Sequence, residues 1–331
     1  MEHSDPAFLS SSTTIAELND PQNRVAVRTK TASELALALL VYRLCTLTWL
    51  VKLAPHIITF ASRLHLSGPV YYIIKRTFFR QFCGGETADA CVATMRRLRA
   101  SGIGSILDLS IEADFDLSDT NANPAAVRAK SNAEADRVLE LNMICLSTAR
   151  CVPGSFAAIK VTALAPPALL RDLTTLLQIL LDAFHAADAD GDGNIGLAEF
   201  REIVRSLPGA PTVADPDALA FALFASATST ELSGTETIDF ITFADALSVE
   251  NPAARPLLVS AAGFTTEHLE DYEYTVERLY RLCQYATDAG ARIMIDAEQS
   301  YFQRAIEHLA MRLEREYNRK GSADGPVVFN T

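Results

Sequence analysis

Four short, nearly continuous apolar runs constrain the fold of this chain more than any other feature. They cover residues 105–110, 158–164, 292–298 and 327–331, and each follows a stretch with helical periodicity. A strand buried on both faces is apolar along its whole length, and parallel strands need a crossover connection, which is usually a helix. The alternation therefore predicts an α/β fold in which helices cover a parallel sheet.

Polar side chains lie within these runs or at their carboxyl ends. They are Asp108, Lys160, Asp296, Glu298 and Asn330, and they belong to four different runs. A single charge at such a place is often part of a structural ion pair. Charges at the ends of several parallel strands, however, meet at one edge, as in the active site of a (β/α)₈ barrel. The pattern therefore predicts a TIM-like barrel with a functional site at that edge.

Residues 166–262 break this alternation, because they are helical, alanine-rich and acidic. The barrel segments on either side, 81–165 and 263–331, are together much shorter than the about 250 residues of a complete barrel. We therefore expect only the N-terminal half of a barrel, incomplete after its fourth strand. Residues 31–80 are predicted to form an N-terminal helical arm, and residues 1–30 to be disordered.

The segment 188–199 matches the 12-residue calcium loop of an EF-hand. The residues at its ligand positions 1, 3, 5, 7 and 12 are Asp188, Asp190, Asp192, Asn194 and Glu199. Gly193 supplies the sharp turn at position 6, and a water is needed at position 9, where Gly196 stands. Because carboxylate and carbonyl oxygens suit a hard cation, the loop is predicted to bind Ca²⁺.

A second helix–loop–helix pattern follows between Asp217 and Val249. We align its Ile238 with Ile195 of the first loop, which gives the ligand positions 1, 3, 5 and 12 to Glu231, Ser233, Thr235 and Thr242. Most carboxylates are missing from this set. We therefore predict an EF-hand pair in which the second hand supports the first without binding metal, and in which Ile195 makes a short strand contact.

Six segments, in order along the chain, carry a resemblance to an enzyme family. They are residues 34–43 (ELALALLVYR), 82–87 (FCGGET), 105–112 (SILDLSIE), 160–164 (KVTAL), 295–299 (IDAEQ) and 327–331 (VVFNT). Together they resemble the eukaryotic mitochondrial proline dehydrogenases, which oxidise L-proline to 1-pyrroline-5-carboxylate. The resemblance implies a (β/α)₈ barrel with non-covalent FAD, hydride transfer from proline to the flavin, and ubiquinone as the electron acceptor.

The resemblance also implies roles for individual residues. Lys160 matches the lysine that binds the substrate carboxylate, and Asp296 matches the aspartate beside the substrate amine and the flavin. Asp296 and Asn330 are expected to contact FAD. The family's remaining flavin and carboxylate contacts belong to later strands, so we expect the 331-residue chain alone neither to bind FAD strongly nor to oxidise proline.

The implied location is the matrix side of the mitochondrial inner membrane, with peripheral membrane association left open, although no transit peptide is visible. The apolar stretch 35–60 is interrupted by Arg43, Lys52 and Pro55 and falls short of the about 20 apolar residues of a spanning helix. We favour an arm packed on its own core over one lying on a membrane.

The composition argues against nucleic acid as a partner. A net charge of −12 and a pI near 5.0 give no basic surface for nucleic acid. The six cysteines have no zinc or C-x-x-C spacing, which predicts free thiols in a reducing compartment.

A catalytically inactive, truncated barrel that acts as a calcium-sensing binding module is the alternative function. A sequence continuing past Thr331 with further strands and a late arginine pair would favour the enzyme, and a true stop at Thr331 would favour the sensor.

Overall fold

The computed structural model describes residues 27, 30–109, 124–228, 236–319 and 325–331. The chain divides into two compact units, with the boundary between Ile103 and Gly104. The predicted disorder of residues 1–30 falls almost entirely outside the described residues, as does the end of the 105–112 segment.

The first unit is helical. Its helices are α1 (Ala32–Cys45), α2 (Thr48–Arg63), α3 (Ser67–Ile74), α4 (Arg80–Phe82) and α5 (Ala88–Ala100), with a π-helical turn at Lys75–Phe79 between α3 and α4. A capping box begins α1, because Thr31 and Glu34 each accept a hydrogen bond from the other's backbone N–H. Arg97 of α5 donates to the same glutamate at 2.8 Å, so α5 is tied to the start of α1.

Large apolar side chains of this unit remain exposed. Leu39, Trp49 and Phe60 are 62%, 63% and 64% exposed. The expectation that the arm packs its apolar residues on its own core is therefore wrong for these side chains. Among the described residues no single helix is long and apolar enough to cross a membrane; α1 and α2 reach that length and composition only as a pair, bent by 91°.

The second unit contains all six described strands, β1 (Ile106–Asp108), β2 (Phe156–Ile159), β3 (Asn194–Gly196), β4 (Thr237–Asp239), β5 (Ile293–Ile295) and β6 (Val328–Asn330). Its helices are α6 (Pro124–Ala149), α7 (Pro167–Ala187), α8 (Leu197–Ser206), α9 (Pro216–Thr228), α10 (Phe240–Ala246), α11 (Arg255–Ala262), α12 (Thr266–Ala289) and α13 (Gln303–Tyr317).

Four strands form one parallel sheet in the order β1-β2-β5-β6. Ile159 and Ile295 pair across β2 and β5 and are almost fully buried. The predicted parallel sheet is therefore confirmed, and strands that follow one another in this way are compatible with part of a (β/α)₈ barrel. Helix α6 packs on β2, α12 packs on α6, and α13 packs on β6.

The second apolar run ends earlier than its sequence predicts. Strand β2 stops at Ile159, and Val161–Ala163 form a 3₁₀ turn closed by a hydrogen bond from the Ala163 N–H to the Lys160 carbonyl at 3.2 Å. An apolar run continues through this turn because Val161 and Leu164 are buried as deeply as the strand residues. Lys160 therefore lies at the junction of strand and turn.

Two helix–loop–helix units, α7-β3-α8 and α9-β4-α10, make up the helical stretch between β2 and α11. Strands β3 and β4 pair in antiparallel fashion, with Ile195 opposite Ile238, which confirms the predicted contact between the two loops. Phe200 packs against Phe224 and Phe243, with ring centroids 5.6 and 5.7 Å apart, so an aromatic core holds the two units together.

Candidate functional site

The ends of β1 and β2 bring two opposite charges together. Asp108 is the last residue of β1 and Lys160 follows β2, and the in-register parallel pairing places both at the same edge of the sheet. The Nζ of Lys160 lies 3.8 Å from Oδ2 of Asp108. The Lys160 side chain is only 15% exposed, whereas that of Asp108 is 46% exposed. A lysine side chain that is mostly buried at this edge places a positive charge where an anionic ligand can contact it.

The ends of β5 and β6 complete the edge. The backbone N–H of Asp296 donates to the Ile159 carbonyl at 3.0 Å, so Asp296 is held beside the end of β2. Asn330 ends β6 and is exposed, and its side-chain oxygen accepts from the N–H of Thr331 at 3.1 Å. The Thr331 hydroxyl in turn accepts from the N–H of Ala297 at 2.7 Å. Backbone geometry thus gathers the predicted polar residues along one edge.

Glu298 lies in the loop after β5 but reaches the turn after β2. Its Oε1 accepts from the backbone N–H of Thr162 at 3.1 Å, and its Oε2 accepts from the Thr162 hydroxyl. The N–H of Glu298 donates to Oε1 of Gln303 at 3.2 Å. The sequence pattern predicts Glu298 at this edge but gives no signal for Thr162 beyond its position two residues after Lys160.

A buried arginine that the sequence analysis missed supports the same turn. Arg278 of α12 is 4% exposed, and its guanidinium donates to the Leu164 carbonyl at 3.3 Å. It also donates to the side chains of Asp136 at 2.7 Å and Asn132 at 3.0 Å, both on α6. A buried guanidinium needs hydrogen-bond partners for its N–H groups. Because these groups point in several directions, Arg278 links α12 to α6 and to the turn after β2. The sequence around Arg278 gave no sign of this role.

The predicted calcium loop gathers its first three acidic side chains. One carboxylate oxygen from each of Asp188, Asp190 and Asp192 lies within 4.8 Å of the others. The second oxygen of Asp188, Oδ1, is buried and accepts no hydrogen bond, while its Oδ2 accepts from the N–H of Gly193 at 3.0 Å. Like charges held this close favour a bound cation, and a buried oxygen without a donor suits a metal ligand. The donor set therefore fits Ca²⁺.

The two remaining predicted ligands, Asn194 and Glu199, are not part of this carboxylate group. Gly193 has φ +80°, the left-handed conformation that the sharp turn requires. Asn194 begins β3, and its backbone N–H donates to Oδ1 of Asp192 at 2.7 Å. Glu199 lies in the first turn of α8, where its Oε2 accepts from the N–H of Gly196 at 2.6 Å. Metal binding by all five residues stays a prediction.

The second loop is only partly described. Its predicted positions Glu231, Ser233 and Thr235 lie outside the described residues, and Thr242 donates its N–H to Oδ1 of Asp239 at 2.8 Å, which caps α10. In the described part of the chain, no second group of three or more His, Cys, Asp or Glu side chains has metal-binding geometry.

Comparison with known proteins gives relatives that are named proline dehydrogenase or hydroxyproline dehydrogenase. The chain is 28% identical to human "Proline dehydrogenase 1, mitochondrial", over 92% of this chain and 58% of that protein. It is 26% identical to "Probable proline dehydrogenase, mitochondrial" of Schizosaccharomyces pombe, over 88% of this chain and 48% of that protein. It is also 25% identical to the "Hydroxyproline dehydrogenase" of Rattus norvegicus, over 92% of this chain and 54% of that protein.

Most of this chain is similar to proteins named mitochondrial proline dehydrogenase. No model of a protein family matches the chain, and no solved structure matches it. The chain spans about half the length of the curated relatives it matches. A match over 92% of the chain leaves out less than a tenth of it, so the similarity includes sheet segments on both sides of the two helix–loop–helix units.

Proposed function

We propose that this protein is an FAD-dependent proline dehydrogenase, which oxidises L-proline to 1-pyrroline-5-carboxylate and passes the electrons to ubiquinone. The similarity to proteins of that name over most of the chain carries this proposal. We further propose that the protein acts in mitochondria, on the matrix side of the inner membrane and in peripheral association with it. The exposed apolar side chains of α1 and α2 support that association.

A direct test uses the mitochondrial membrane fraction of the source cells. Proline-dependent reduction of a soluble ubiquinone analogue is expected in that fraction and is expected to vanish when the gene is disrupted. Activity that persists at the wild-type level without the gene would contradict the proposal. Disruption of the gene without loss of activity, together with calcium-dependent binding of a partner by its product, would support the alternative binding module.

Lys160 is proposed to bind the substrate carboxylate. L-Proline is a zwitterion, so its carboxylate needs a cation, and the mostly buried side chain of Lys160 lies at the carboxyl edge of the sheet. An ammonium has three donors, so it can hold a substrate carboxylate while it stays near Asp108. The low exposure of Lys160 strengthens this attraction relative to a fully solvated pair.

Asp296 is proposed to lie beside the substrate amine. Its carboxylate balances the positive charge of that amine, and its backbone bond to Ile159 keeps it at the same edge as Lys160. With a cation for one end of the zwitterion and an anion for the other, the two side chains orient the ring of proline. Orientation of this kind removes entropy from the reaction before the chemical step.

The same edge offers groups that fit a flavin. A flavin ring carries both N–H and carbonyl groups, which the Asn330 amide and the Asp296 carboxylate can satisfy; both side chains lie at the ends of neighbouring strands. FAD supplies the hydride acceptor when it is bound. Lys160 and Asp296 hold and orient the substrate, and the buried strands beneath them exclude water from that side.

Replacement of Asp296 by alanine is expected to lower kcat/KM for L-proline by about 10- to 100-fold, because one hydrogen bond to a charged group contributes about 1.5–3 kcal/mol. The protein should be expressed from its complete gene and assayed with a quinone acceptor. Asp288→Ala, which removes an exposed aspartate of α12, is the matched control and should retain wild-type kinetics. Wild-type kcat/KM in Asp296→Ala would refute the assigned role.

The loop 188–199 is proposed to bind one Ca²⁺. The gathered carboxylates of Asp188, Asp190 and Asp192 and the unpartnered Oδ1 of Asp188 support this proposal, with Asn194 and Glu199 as its further ligands. The calcium proposal and the enzyme proposal rest on different residues, so either can fail without the other.

A further inference from the structure

The turn that follows Lys160 is held by two charged side chains, those of Glu298 and Arg278. Thr162 is the middle residue of the 3₁₀ turn, and both its N–H and its hydroxyl donate to the carboxylate of Glu298. At the end of the turn, the Leu164 carbonyl accepts from the buried guanidinium of Arg278 at 3.3 Å. A short turn that is bonded to charged groups at its middle and at its end has little freedom to move.

Two hydrogen bonds flank Lys160 and connect the end of β2 and the turn after it to the loop after β5. On one side, the N–H of Asp296 donates to the carbonyl of Ile159, the residue before Lys160, at 3.0 Å. On the other side, Glu298 accepts from Thr162, two residues after Lys160, at 3.1 Å. The two residues proposed to hold the substrate are therefore connected through a small ring of hydrogen bonds.

Glu298 is itself fixed where it stands. Its backbone N–H donates to Oε1 of Gln303 in the first turn of α13 at 3.2 Å, and Gln303 donates on to Glu307 at 3.3 Å. The Glu298 side chain is partly buried, with both oxygens directed to one residue. A carboxylate that accepts two bonds from a single turn controls the position of that turn better than one bond does.

We propose that Glu298 is a positioning residue, which locks the turn after β2 to the loop after β5 and so sets the separation of Lys160 from Asp296. This inference rests on the proposed function of Lys160 and Asp296. Glu298 touches neither end of the substrate in this scheme. It acts through Thr162 on the backbone that carries the lysine, and small displacements of such a group are costly for orientation.

Glu298→Gln is the first test, because glutamine keeps the size of the side chain but loses the charge and one acceptor. KM for L-proline is expected to rise about tenfold, with kcat changed less than about threefold, because substrate placement suffers more than the reacting groups do. Thr162→Val removes only the hydroxyl bond and should give a smaller rise in KM, and Thr162→Ser should behave as wild type. Glu277→Gln, at an exposed position of α12, is the matched control.

Hydrogen exchange supplies a readout that does not depend on activity. The amide of Thr162 is expected to exchange about tenfold faster in Glu298→Gln than in the wild type, since its acceptor is weakened. Exchange in α12 should stay unchanged, which separates local release of the turn from general destabilisation. Unchanged exchange at Thr162 would show that Glu298 does not hold the turn. Faster exchange with an unchanged KM would overturn the positioning role of Glu298.

A double-mutant cycle separates this inference from the proposed function. If Glu298 acts through Lys160, its substitution should add almost nothing to the KM of Lys160→Ala, so the two effects are not additive. Additive effects would overturn the inference. If Lys160→Ala alone leaves KM unchanged, the proposed role of Lys160 fails and the positioning role fails with it, whereas faster exchange at Thr162 still shows that Glu298 holds the turn.

Discussion

Replacement of Lys160 by alanine is expected to lower kcat/KM for L-proline by about a hundredfold or more, mainly through a higher KM. Removal of one partner from a close charge pair costs about 2–5 kcal/mol, and each 1.36 kcal/mol is a factor of ten. The low exposure of Lys160 favours the upper part of that range, because solvent screens the interaction little. Initial rates over a range of proline concentrations measure the effect.

Two further variants sharpen this test. Lys130→Ala removes an exposed lysine of α6 and is expected to keep wild-type kinetics. Lys160→Arg keeps the charge but replaces a compact ammonium by a larger planar group beside Asp108, so a partial loss is expected. The role of Lys160 is refuted if Lys160→Ala and Lys130→Ala have the same kcat/KM as the wild type.

Calcium is expected to bind the wild-type protein at one ion per chain and to stabilise it by about 2.7 kcal/mol when its free concentration is 100 times Kd. Asp188→Ala should abolish both effects, because it removes the ligand at position 1 and the buried Oδ1 that accepts no hydrogen bond. Isothermal titration calorimetry measures the stoichiometry, and urea unfolding with Ca²⁺ or a chelator measures the stabilisation.

The matched control for this loop is Asp182→Ala, an exposed aspartate of α7 before the loop begins. It should bind calcium as the wild type does. Circular dichroism of Asp188→Ala in chelator confirms that the variant is folded, so that a loss of binding reports on the site. No heat and no stabilisation in the wild-type protein would refute the calcium proposal outright.

Much of the fold could be predicted from local pattern. The alternation of apolar runs and helices was enough to predict the parallel sheet, because strands buried on both faces are apolar throughout and their crossovers are helical. The contact between Ile195 and Ile238 followed from aligning two loops, since their ligand spacing places one apolar residue in each short strand. The end of β2 was mispredicted, because the buried turn Val161–Ala163 has the same apolar composition as a strand.

The sequence by itself determined which chemical groups are available: a lysine, several carboxylates and an amide at strand ends, and the loop 188–199 with its ligand spacing. Only the tertiary structure decided how these groups are held. Arg278 donates a hydrogen bond to Leu164, which is 114 positions away in the sequence, and Glu298 accepts one from Thr162, which is 136 positions away. The choice of such partners depends on how helices and strands pack, and no local periodicity records it.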